Sequence, residues 1–322
     1  MNAKAALPVA GTPVETILRD ELAHGDALIG TISPILRHLL ANDEHSMFSD
    51  EIVARVRGMM SSIARQLLDA LGGTTETTDS PEYDEQVVGN LVASFICHPG
   101  LLSHLHCLAL EWQLTERLQA RLALDPVLSP LLQALIASSE SNTAGNAMAL
   151  LAAQARFAQT QRRMELPLTE LPGDLIHVVL LALRNHAGDD DAAQARCSAA
   201  ELTIRGSYDE SRSRLGLVSR LVSGLGGGAM AALSVPHAGL AIFLTALALA
   251  SGQDRDMAVL SANEGQLARF ALALRAAGLK PKQIEEQFSA LNPDAALPVG
   301  FDVIGADQAA ALLARSAAYP GL

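Results

Sequence analysis

Residues 99–110 read PGLLSHLHCLAL and residues 172–183 read PGDLIHVVLLAL, and the two agree at seven of twelve positions without a gap. Both open on Pro-Gly and run into apolar residues at helical spacing. Proline suits the first helical position because its missing N–H would have had no intrahelical acceptor there. The shared Pro, Gly and His make this pair more than a chance match among leucines and alanines. Gln119-Ala120-Arg121 is echoed by Gln194-Ala195-Arg196 at nearly the same offset. A weaker copy, PHAGLAIFLTAL, starts at Pro236, and Pro126 in DPVLSPLLQAL is read as a similar helix start. Helical units recurring 73 and then 64 residues apart predict an all-α, irregular helical-repeat (HEAT-like) array.

Composition agrees with this fold class. Aromatic residues make up only 3% of the 322-residue chain. Ala and Leu dominate, which favours close-packed helices and leaves a β-sandwich without its usual core residues. Outward from the repeats, residues 1–11 are expected to be a disordered N-terminus. Thr12, Pro13 and Glu15 read as a capping box opening a helix. That helix should run to Leu40, interrupted near His24-Gly25 and bent at Pro34. A second helix should open at Ser49 and end at Gly72-Gly73. Together these form an N-terminal helical hairpin, 12–71, a candidate docking or homodimer element. The polar stretch 72–83 reads as a linker, with Ser80-Pro81 starting the next helix. Residues 84–292 are expected to be the repeat domain, and 293–322 a C-terminal helix and tail.

A formal charge of −12 repels phosphates, and no Lys/Arg cluster offsets it locally, so nucleic acid is excluded as a partner. The start MNAKAALPVAGTPVETILRDEL has no continuous hydrophobic region, so no secretory leader is read and the expected compartment is the cytoplasm. Residues 221–253 carry no charge, but glycines at 224 and 226–228 and the Pro236-His237 break leave an apolar piece too short to span a bilayer. Membrane insertion is therefore not expected, and a helix buried on all sides is. Gly224-Leu225-Gly226-Gly227-Gly228-Ala229 matches G-x-G-x-x-G/A formally. It follows a helical pattern rather than a strand, so it reads as a helix break and no nucleotide cofactor is assigned.

The residues most suggestive of chemistry are Cys97, His98, His104, His106 and Cys107. They concentrate ligand-type side chains in a chain of only 3 Cys and 9 His. A metal or redox sensor would use them, since Cys and His are zinc ligands and His104 and Cys107 share a helical face. Against it, no CxxC or HxxxH pair is present. His104 also recurs as His177, as expected of a helix-packing residue of the repeat. Asp189-Asp190-Asp191 resembles half of the aspartate-rich motif of helical isoprenoid synthases, but Ala193 and Gln194 stand where a further acid is needed. An acidic N-cap is the simpler role. His24, His38 and His45 have no flanking residues that would mark a phosphorylated histidine. No G-x-S-x-G elbow, P-loop, HExxH or kinase signature occurs, so no catalytic residue is assigned.

The segment 237–279 resembles the C-terminal part of a bacterial helical-repeat family of unknown function. The likeness lies in Gly239, Leu240 and Phe243, the Ala246-Leu247-Ala248 helix, the Gly252 break and the ending Arg275-Ala276-Ala277-Gly278-Leu279. It implies a helical array and carries no catalytic residues. The expected function is thus non-enzymatic, a protein-protein interaction or regulatory scaffold. Asp79, Glu82, Asp84 and Glu85, with Asp189 to Asp191, would suit a basic partner or be ordinary solvated loops.

Overall fold

The computed structural model describes residues 13–41, 50–73, 84–188 and 190–316, and of Asp50 and Glu264 the backbone alone. The described residues are all-α, with no strand among them. The helices are α1 (Val14–Ala41), α2 (Asp50–Gly72), α3 (Glu85–Ile96), α4 (Pro99–Leu122), α5 (Pro130–Ile136), α6 (Ser141–Arg162), α7 (Gly173–Ala187) and α8 (Asp191–Ser207). They continue as α9 (Arg214–Gly224), α10 (Val235–Ala238), α11 (Leu240–Ser251), α12 (Arg255–Ser261), α13 (Leu267–Ala276), α14 (Pro281–Leu291) and α15 (Ala306–Arg315). Short 3-10 turns join several of them.

Local chemistry sets many of these ends. The side chains of Asp84, Ser129, Asp190 and Ser213 each accept a backbone N–H of the first helical turn, at 2.9, 3.2, 2.7 and 3.1 Å. At the other end of α11, Gly252 takes φ +69°, and the following Gln253 N–H closes on the Ala248 carbonyl at 3.0 Å. A residue with a Cβ is strained in that conformation.

The centre of the molecule is α4. Every residue from Leu101 to Trp112 is buried, so this stretch has no solvent face. It touches α1, α2 and α3 from early in the chain, and α6, α7, α11, α12 and α14 from later. Helices distant in sequence also meet directly, α1 on α13 and α2 on α8. One continuous hydrophobic core runs from Leu18 to Leu313. The array is therefore wound around one buried helix, whereas units of an open solenoid touch only their neighbours.

The hairpin of 12–71 is part of that core rather than a separate element. Leu18, Leu22, Ile29, Leu36 and Leu40 of α1 are buried in it, as are Val56, Met59, Ile63 and Leu67 of α2. The apolar stripes that suggested a self-associating hairpin are used within the chain. Thr12, Ser49 and Ser80-Pro81 lie outside the described residues, and α3 begins at Glu85 with Asp84 as its cap. Neither Gly25 nor Pro34 ends α1. Gly25 is where α13's neighbourhood presses closest: Gln266 donates to the Gly25 carbonyl at 2.6 Å, and a Cβ on Gly25 would lie 2.5 Å from the Gln266 Oε1.

The helix starts at Pro99 and Pro172 are both present, but their histidines do not share an environment: His104 is buried and His177 is exposed. Pro236 lies in the four-residue α10. Pro126 does not start a helix. Asp125 accepts the Val127 and Leu128 N–H groups in a turn, and α5 begins four residues later at Pro130. Within 221–253 it is α11 that is buried, from Leu240 through Ala248, behind a largely exposed 3-10 stretch. No single described helix is long and apolar enough to cross a membrane.

Candidate functional site

The ligand-type residues of 97–107 do not converge. Successive residues of a helix point about 100° apart, so neighbours in sequence diverge in space. Cys97 is the exposed C-cap of α3, its thiol directed at the Ala93 carbonyl at 3.7 Å. His98 is the half-buried N-cap of α4. His104 and Cys107 instead reach α12, where His104 Nδ1 lies 3.3 Å from Asp256 Oδ2 and Cys107 Sγ lies 3.7 Å from the Asp256 carbonyl. His106 is buried on α4 as well, within reach of the Asp256 charge. Among the described residues no three Cys, His, Asp or Glu side chains gather as a metal would require.

Cys107, His104 and Asp256 have the composition of a nucleophilic triad without its properties. The thiol is buried, and desolvation, reinforced by the Asp256 charge, pushes its pKa well above the ordinary value. A thiol held protonated and out of solvent is a packing group. Desolvation likewise lowers His106 from 6.5 to about 4, against the opposing pull of Asp256, so the imidazole is buried neutral.

One turn further along α4 stands a group that the sequence did not single out. Glu111 is buried and receives two bonds from Arg214 of α9, at 2.7 and 3.0 Å, while Arg255 of α12 lies 2.9 Å away. Desolvation alone would raise this carboxyl, but the two guanidinium charges outweigh it and hold the pKa at about 2. Arg214 also donates to Gln154 of α6 at 3.2 Å and stacks over the Phe157 ring at 3.7 Å. Its backbone N–H donates to Glu170 at 2.8 Å, and Arg255 donates to Thr245 of α11 at 3.0 Å. The only hint in the sequence was that Glu111 is the first acid after 86–110, a run without Asp, Glu, Lys or Arg.

This cluster ties α6, α9, α11 and α12 to the buried α4. The cavity beside it, lined by Glu111, Gln154 and Arg214, has a volume of about 30 Å³. Ligand sites occupy roughly 300–1,000 Å³. The ion pairs are thus enclosed rather than presented to a substrate.

An open groove lies elsewhere, between the end of α1, the middle of α2 and the length of α3, with a volume of about 670 Å³. Leu40, Val88, Val92 and Ile96 form its floor. Arg37 stands on the α1 side, and Arg57 and Arg65 on α2, eight residues apart and so on one face of the helix. Glu85 is the acidic residue among the described residues of the lining. Arg57 donates to the Leu40 carbonyl at 3.3 Å. Arg37 and Arg65 are exposed and make no hydrogen bond or ion pair among the described residues. Each is unremarkable in sequence, and only the packing of α1 on α2 and α3 assembles them.

The remaining motifs have local roles. Asp190 caps α8, Asp191 begins it exposed, and Asp189 lies outside the described residues. Asp84 is spent on the α3 cap. Gly224 ends α9 and Gly226 to Ala229 lie in the 3-10 stretch that follows, with no strand before them. His24 and His38 lie on α1, and His45, Asp79 and Glu82 lie outside the described residues. No family model, curated protein or solved structure matches the chain.

Proposed function

We propose that the chain is a non-enzymatic, bacterial helical-array protein of the cytoplasm that acts by binding another protein, as an interaction or regulatory scaffold. The observation that carries this reading is the separation of charge chemistry from access. Glu111, His106 and Cys107, three of the ionisable groups most altered by the fold, are enclosed in the core, while the groove between α1, α2 and α3 has an apolar floor and no nucleophile and base in contact among the described residues of its lining. Catalytic groups normally combine a perturbed pKa with a cleft that substrate can enter. The resemblance over 237–279 to a bacterial helical-repeat family supports the same class.

The metal- or redox-sensor alternative draws no support from the divergence of Cys97, His98, His104, His106 and Cys107. A pull-down from native lysate of the source cells, read by mass spectrometry, tests the binding reading. Recovery of a stoichiometric partner is expected, and repeated recovery of none counts against it.

A further inference from the structure

We infer that the groove between α1, α2 and α3 docks an amphipathic helical segment of the partner that carries carboxylates along its flank. The inference rests on the binding reading above and names the chemistry of its site. The floor is apolar and shallowly accessible, with Leu40, Val88, Val92 and Ile96 each 6–9% exposed. Along α3 these floor residues recur at Val88, Val92 and Ile96, a spacing that draws an apolar ridge inclined gently to the helix axis. Gly89 and Ala93 are exposed in the wall on the same helix, and a Cβ at Gly89 would meet nothing within 4 Å. The wall is therefore low, and an incoming helix can approach closely. This is the arrangement by which amphipathic helices are taken into grooves, through anchors repeating at i, i+3, i+4 and i+7.

Charge selects the occupant. The chain carries a formal −12, yet the described residues lining the groove include three arginines against one glutamate. A basic amphipathic helix would be repelled by Arg37, Arg57 and Arg65 and would gain only Glu85. An acidic one would be drawn in by described lining residues whose charge opposes the chain's formal net charge, which favours both encounter rate and register. Arg37 and Arg65 line the groove from two different helices, and their planar guanidinium groups suit carboxylates in paired hydrogen bonds.

The test uses the full chain and a fluorescein-labelled helical peptide with leucines at i, i+3, i+4 and i+7 and glutamates beside them, with fluorescence anisotropy as the readout. Saturable binding is expected, weakened by added salt. The Arg37→Glu/Arg65→Glu double variant should lower the affinity at least about tenfold, and Ala93→Trp, which fills the groove without changing charge, should lower it comparably. Both positions are exposed, and unchanged circular dichroism will show that the variants fold. A peptide with lysines in place of the glutamates should not bind. Four results would overturn the inference: no binding of the acidic peptide, equal binding of the lysine peptide, tight binding of dodecanoate in its place, or a dimer of the chain that dissociates in the double variant. A partner captured equally by wild type and double variant would overturn the groove while leaving the binding reading intact, whereas absence of any partner would strike at that reading.

Discussion

Arg214 and Glu111, 103 residues apart in sequence, meet as a two-pronged ion pair with both side chains almost fully buried. Two desolvated charges are costly unless each finds its counter-charge, and here Arg255 and Gln154 complete the set. Removing the carboxylate strands two guanidinium groups. We therefore expect Glu111→Gln to cost about 3–5 kcal/mol of stability. The double substitution Glu111→Leu/Arg214→Leu should cost less than the sum of the two single ones. Urea unfolding of the four proteins measures this directly. Additive losses would show that the pair is not coupled.

His106 predicts an acid sensitivity. Its folded pKa of about 4 lies below the ordinary 6.5, so between these values the unfolded chain binds a proton that the folded chain refuses. Stability is then greatest above pH 6.5 and is lost as pH falls through this window, by about 3 kcal/mol at its lower end. Glu111 adds a second loss at lower pH, as its carboxyl, held at about 2 when folded, takes up a proton in the unfolded chain from 4.5 downward. Urea midpoints at pH 7 and pH 5 should differ for wild type and differ less for His106→Gln.

The cysteines should separate by reactivity. Cys97 is exposed, whereas Cys107 and Cys197 are buried. A thiol reagent applied to the native chain should modify Cys97 rapidly and Cys107 only on unfolding. Rapid native modification of Cys107 would mean that α4 and α12 open locally. Because Cys97 also lines the groove, its protection by the acidic peptide offers an unlabelled readout of occupancy.

The close approach at Gly25 makes another prediction. Gly25→Ala places a Cβ against the Gln266 side chain, which is itself buried and bonded to the Gly25 carbonyl. The substitution should cost about 1–3 kcal/mol despite alanine's better helix propensity. Adding Gln266→Ala should recover part of the loss. A stabilised single variant would mean that α1 is not seated as described.

The helices were legible because apolar periodicity and Pro, Ser and Asp at helix starts act over a few residues. The Cys97 to Cys107 cluster, to which the sequence assigned no site, shows that proximity in sequence is not convergence on a helix, where each step turns the side chain by about 100°. The hairpin misled for a related reason: the stripes of α1 and α2 announced burial but not its partner, and that partner is largely the distant helices α4, α8 and α13. The centrality of 101–112 was not read from the sequence, because Ser103, His104, His106 and Glu111 interrupt its apolar run, and Glu111 could not reveal Arg214 and Arg255 more than a hundred residues away. The groove was invisible because its arginines lie on two helices and its floor largely on a third.

The most direct test of the account is a side-by-side pull-down from native lysate with wild type and the Arg37→Glu/Arg65→Glu variant, quantified by mass spectrometry. The account predicts a stoichiometric partner on the wild type, with an acidic amphipathic segment in its sequence, and its loss from the variant. Recovery of no stoichiometric partner by the folded wild-type chain would contradict it.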